Sequence, residues 1–123
     1  MIKLVINGRL PSYNEYINAC RSHWSKGAKL KKELEEFIQF ELISSRFLEI
    51  LNPVTIKYTW YEKNRKRDLD NIMSGQKFIQ DTLVKMGILQ NDGWKNIIGI
   101  SHDFKVDKEN PRIEIILEET LDK

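Results

Sequence analysis

Val54-Thr55-Ile56-Lys57-Tyr58-Thr59-Trp60-Tyr61-Glu62, running on into Lys63-Asn64-Arg65-Lys66-Arg67 and then Asp68-Leu69-Asp70-Asn71, is the stretch that decides the fold. Val54, Ile56, Tyr58 and Trp60 alternate with Thr55, Lys57, Thr59 and Tyr61, which is the pattern of a half-buried strand. After Asp70 the apolar residues Ile72, Ile79, Leu83 and Met86 follow helical spacing, and Gly87 stands where a left-handed C-cap is expected. Asp68 and Asp70 thus fall at a strand-to-helix junction, directly behind a basic run.

Upstream, Ile2, Leu4 and Ile6 alternate along a first strand that closes at Asn7-Gly8. Residues 9–28 read as a polar and aromatic loop, too long for a mere connector. From Ala28 to about Phe47, Leu30, Leu34, Phe37, Ile38 and Leu42 mark an amphipathic helix that Pro53 terminates before the central strand. Downstream, beyond the turn Asn91-Asp92-Gly93, Ile98, Ile100, His102, Phe104 and Val106 alternate. A second turn over residues 107–111 leads to a strand marked by Ile113, Ile115 and Leu117. The expected fold is α/β (α+β): a single domain over residues 1–123, in the order β-α-β-α-β-β, with helices packed on a mixed sheet.

Size and composition narrow the function. A chain of 123 residues with 41% hydrophobic content and +20 against −18 charges is an ordinary globule rather than a disordered polyampholyte. No apolar run reaches the roughly 20 residues of a bilayer span, and Met1-Ile2-Lys3-Leu4 does not begin a signal peptide, so the expected location is the cytoplasm, with no membrane partner. Cys20 is the only cysteine, and with His23 and His102 the only histidines a structural zinc is not expected. Positive charge is segregated. Arg9, Arg21, Lys26, Lys29, Lys31 and Lys32 crowd the first third, and Arg65, Lys66 and Arg67 precede the acids. Basic runs beside carboxylates suit a polyanion and a metal.

Mg²⁺ takes oxygen ligands and uses one or two carboxylates together with waters and substrate phosphates. If Asp68-Leu69-Asp70 is still extended, both carboxylates point one way and Leu69 points into the core. Lys77, seven residues beyond Asp70, returns to nearly the same helical face, where it can neutralise a phosphate. Asp92, in the loop after that helix, can be brought back toward the site. Each part also has a plainer reading. Asp70 or Asn71 can cap a helix, Asp92 can be turn chemistry, and Lys77 can be a solvated lysine. His102, in phase with apolar neighbours, reads as a core or sheet-face residue, Trp60 as core, and Trp24 and Trp94 as exposed.

Lys66-Arg67-Asp68-Leu69-Asp70-Asn71 resembles the signature of the RusA-type Holliday-junction resolvases. Gln76-Lys77, Asp81-Thr82-Leu83, Lys85-Met86-Gly87 and Asn91-Asp92 are similar to the helix and acidic loop downstream of the signature in that family, and Pro11-Ser12-x-Asn14 to a segment upstream of it. The resemblance runs from about Lys3 to Leu117. It implies that Asp68, Asp70 and Asp92 are metal-binding catalytic acids, that Lys77 is the essential helix lysine, and that Mg²⁺, with Mn²⁺ as a substitute, is the cofactor. It further implies a homodimer that cuts four-way junctions and related branched DNA by paired phosphodiester hydrolysis, in recombination and repair. The stretch Ile72-Met73-Ser74-Gly75 departs from the pattern by a few extra residues, so Lys77 matches by its Gln-Lys context. Arg65, Lys66, Arg67, Asn71, Arg21, Lys26 and Lys29 are the expected DNA contacts. No small-molecule cofactor is expected.

An EF-hand does not fit, because Ile72 stands where a third ligand would be needed. Asp-x-Asp phosphatases and glycosyltransferases need a larger fold. The remaining alternative is a non-catalytic nucleic-acid-binding module whose acids are structural.

Overall fold

The computed structural model describes residues 1–120. The elements are β1 (Ile2–Asn7), α1 (Tyr13–Ser22), α2 (Trp24–Glu41), β2 (Val54–Glu62), α3 (Leu69–Met73), α4 (Gln76–Lys85), β3 (Ile97–Val106) and β4 (Arg112–Glu119). Among the described residues the strands form one sheet in the order β1-β4-β2-β3. β4 runs antiparallel to both β1 and β2, while β2 and β3 are parallel. The sheet is mixed, as expected, and each helical step of the expected order is a pair of helices.

Alternation in the strands sets the core. Leu4, Ile6, Val54, Ile56, Tyr58, Trp60, Ile113, Ile115 and Leu117 turn one sheet face toward Leu34, Ile38 and Leu42 of the second helix and Ile79 and Leu83 of the fourth. Fully burying each Leu or Ile contributes roughly 1.5–3 kcal/mol. The opposite face leaves Thr55 and Lys57 in solvent. Gly87 has φ +78°, the left-handed conformation foreseen for it.

Three expectations on the helices need correction. Residues 9–28 are not a loop: α1 lies inside them, capped by a Ser12–Glu15 capping box, and α2 begins at Trp24. No residue of α1 is fully buried, but Tyr13, Tyr16, Ile17 and Cys20 stand at i, i+3, i+4 and i+7, and Ser12-x-x-Glu15 is itself a helix-start signal. α2 ends at Glu41 rather than near Phe47, and Phe37 and Phe47 face solvent at 37% and 83% exposure. The helix expected after Asp70 breaks at Ser74-Gly75. A Cβ on Gly75 would lie 3.0 Å from Leu10 Cδ1 and 3.3 Å from the Trp60 ring, so the break seats backbone directly on the core. The side chain of Trp24 and the acidic tail at Leu121–Lys123 lie outside the described residues.

Candidate active site

Two guanidinium groups lace the acidic junction to the segment just after β1. Arg9 donates from Nε (3.0 Å) and Nη2 (2.8 Å) to Oε1 of Glu62, the last residue of β2, and both side chains are largely buried. Arg67 donates to the Leu10 carbonyl at 2.7 Å and to Glu15 Oε1 at 2.8 Å, and the same Glu15 closes the capping box with Ser12. Arg67 is therefore a pin between the two segments. Arg65 and Lys66 are exposed, and among the described residues their side chains have no ion pair. Arg21, Lys26 and Lys29 are likewise exposed, at the end of α1 and along the start of α2.

Asp68 is the N-cap of α3, in extended conformation (φ −69°, ψ 152°), and its side chain makes no capping bond. Leu69 and Asp70 are already helical, so the extended Asp-x-Asp geometry does not hold. Leu69 is 55% exposed rather than turned into the core. Neither Asp70 nor Asn71 is the cap. Asp70 Oδ1 accepts from the Asn71 N–H at 3.0 Å, and both acids are exposed. Among the described residues neither carboxylate is paired with a cation.

The break in the helix still brings Asp70 and Lys77 together. They line one cleft of about 490 Å³ with Tyr13, Tyr16, Lys31 and Gln76. Tyr16 packs edge-on to Phe78 at 5.2 Å, which docks α1 against α4. Asp81 holds two lysines: Oδ1 faces Lys77 Nζ at 3.2 Å, one helical turn back, and Oδ2 faces Lys31 Nζ at 3.8 Å. The hydrogen bond and charge of Asp81, with a smaller contribution from Asp92, hold the Lys77 ammonium above the ordinary lysine value. Asp92 lines an adjoining cleft of about 260 Å³ with Lys31, Glu35, Asp81 and Lys85. Lys31 is common to both clefts. Asp68 lines neither, standing two residues before Asp70.

The sequence reading did not single out Lys31, Asp81, Tyr13 or Tyr16 as site residues. Asp81 was findable from its i,i+4 spacing to Lys77. The two tyrosines depended on a helix read as loop. Trp94 is 97% exposed, as expected. His102 is half-buried in a stack with Tyr58 and Phe104, the sheet-face position foreseen.

The family model for endodeoxyribonuclease RusA matches residues 4–118. The chain belongs to the RusA endodeoxyribonuclease family. Comparison with individually curated proteins gives no match. Membership in the RusA family implies an endonuclease that resolves Holliday junctions, and such nucleases generally use a divalent metal. Among the described residues no three His, Cys, Asp or Glu side chains gather closely enough to cage an ion. The donor set nevertheless fits a hard, hydrated cation. Asp68 and Asp70 offer oxygen ligands at an open junction with no cation paired to them, and one or two carboxylates plus water and phosphate is what Mg²⁺ takes. Among the described residues, no helix of this RusA-family chain is long and apolar enough to cross a membrane.

Proposed function

We propose that the chain is a Mg²⁺-dependent, structure-selective endonuclease that resolves four-way and related branched DNA by paired phosphodiester hydrolysis, acting in recombination and repair in the cytoplasm. The observation that carries this reading is the single cleft in which Asp70 and Lys77 meet. Asp68, Asp70 and Asp92 are the residues proposed to hold the ion, with Mn²⁺ as a substitute. When bound, the ion supplies positive charge that polarises the phosphate and lowers the pKa of an attacking water.

The chain's own residues do the rest. Lys77, kept protonated by Asp81, balances charge on the phosphoryl oxygens, and Lys31 extends that positive edge toward Asp92. Arg65 and Lys66 meet the flanking backbone as free cations, with Arg21, Lys26, Lys29 and the Asn71 amide as further contacts. These contacts give affinity without sequence preference, and selection comes from the branched shape. Cutting two opposed strands calls for two sites related by a twofold axis. The outer strand β3 supports a homodimer: its free edge and the exposed Ile98, Ile100 and Val106 form an uncovered apolar strip.

The test is incubation of the protein with a four-way junction, a linear duplex and single-stranded DNA, each with Mg²⁺ and with EDTA. The expected result is symmetric nicking of the junction with Mg²⁺ alone and a largely spared duplex. Equal cutting of linear duplex overturns the structure selectivity. Binding with no cutting in any metal leaves a binding module with structural acids.

A further inference from the structure

One chain of hydrogen bonds runs from the core to the proposed active-site cleft, and donor chemistry fixes its direction. The Trp60 indole N–H can only donate, and it reaches His102 Nδ1 at 2.9 Å. Nδ1 is therefore the acceptor, and the ring's proton sits on Nε2. His102 Nε2 is 2.8 Å from Gln76 Oε1, so the ring donates to the carbonyl end of that amide. Stacking holds the ring in place: its centroid lies 5.1 Å from Tyr58 and 6.3 Å from Phe104, with interplanar angles of 10° and 18°. Burial lowers the His102 pKa, which keeps the neutral form that this chain requires.

Gln76 is the first residue of α4 and lines the cleft with Asp70 and Lys77. Its oxygen is committed to His102, and among the described residues its NH₂ has no partner. The polar group it offers the cleft is a donor of fixed orientation. Resting on the reading of that cleft as a nuclease site, we infer that Gln76 binds substrate by donating its side-chain NH₂ to a non-bridging phosphate oxygen, and that His102 is the positioning residue that holds the amide in that sense. Without His102 the amide is free to turn its oxygen toward the phosphate, where acceptor meets acceptor.

The test measures junction affinity in EDTA, single-turnover cleavage with Mg²⁺, and melting temperature for Gln76→Ala, Gln76→Glu, His102→Phe and His102→Gln. Gln76→Ala should weaken junction binding about tenfold, the worth of a hydrogen bond to a charged group. Gln76→Glu should weaken it further, and should fold well because an acid suits the first turn of a helix. His102→Phe keeps the stack and should weaken binding, though by less than Gln76→Ala does, because the released amide can still turn its NH₂ toward the phosphate. His102→Gln returns an N–H near the Nε2 position and should recover most of the loss. In a Gln76→Ala background His102→Phe should add nothing to the affinity loss, whereas a purely structural role would add its full effect there. A wild-type protein that cuts junctions while both Gln76 variants bind within twofold of it overturns the inference alone. Additive losses overturn the positioning role of His102. A wild-type protein that neither binds nor cuts a junction removes the reading beneath as well.

Discussion

The Arg9–Glu62 pair and the Lys77–Asp81 pair flank the same acidic junction, and water reaches them very differently. In the first, the side chains are 18% and 9% exposed and a guanidinium donates two hydrogen bonds to one carboxylate oxygen. In the second, the Lys77 side chain is 71% exposed and shares Asp81 with Lys31. A guanidinium presents a planar fork that fixes geometry, whereas an ammonium is a mobile point charge. The buried pair therefore sets the frame that holds Asp68 and Asp70, and the exposed one is a partnership that an incoming phosphate can exchange.

The contrast is tested hardest at the junction itself. Asp70→Asn keeps size and hydrogen-bonding capacity but removes charge, and it should slow junction cleavage by at least about a hundredfold. Junction affinity should hold or rise, since one fewer anion faces the phosphate, and the melting temperature should not fall. Cleavage near the wild-type rate in a folded protein ends the catalytic assignment of Asp70.

Next in size is the frame. Arg9→Ala strands a buried carboxylate and should cost about 3 kcal/mol in urea unfolding. Asp81→Asn, which breaks pairs whose lysines are exposed and whose carboxylate is 20% exposed, should cost less than about 1 kcal/mol. Equal costs would erase the distinction between frame and exchangeable pair. The same distinction divides the basic run. Arg65→Ala and Lys66→Ala should each reduce the salt dependence of junction binding by about one unit of slope with no change in melting temperature. Arg67→Ala should lower the melting temperature as well, because it releases the Leu10 carbonyl and Glu15.

The smallest expected effect is on acid stability. Burial depresses the His102 pKa in the folded state, so the unfolded chain takes up the proton more readily. Stability should be whole above the ordinary imidazole value of about 6.5 and should decline as pH falls below it toward the folded value. His102→Phe should flatten that part of a melting-temperature profile. A slope unchanged by the substitution assigns it to another group.

Legibility in the sequence followed burial on one side. Ile56, Tyr58 and Trp60, or Ile113, Ile115 and Leu117, are buried on one face only, so their alternation announces a strand. Tyr13–Ser22 has no fully buried residue, and its short stripe of Tyr13, Tyr16, Ile17 and Cys20 is half aromatic and set among polar residues, so it announces a helix far more faintly. The junction acids were legible as neighbours in the chain, but the conformation of Leu69 was not, because the helix starts one residue after Asp68. The seven-residue spacing from Asp70 to Lys77 returns to one face only on a continuous helix. Lys77 reaches the cleft although the helix is broken, through a glycine that lets the new start rest on Trp60. The direction of the Trp60–His102–Gln76 chain depends on residues far apart in sequence and on which atoms can donate, and no pattern along the chain carries that information.

Strand order also bears on time. Ile2 lies opposite Leu117 and Asn7 opposite Arg112, while β4 also supplies one of the two neighbours of β2. The strand that joins both follows β3, so the first strand cannot find its partner until more than a hundred further residues, through Glu119, have been synthesised, at about 5–20 residues per second. Only then is the entropy of closing so long a loop offset by pairing, which makes this a slow-folding topology. Until β4 arrives, the emerging chain has β1 and one flank of β2 unpaired, and during that interval aggregation competes with folding.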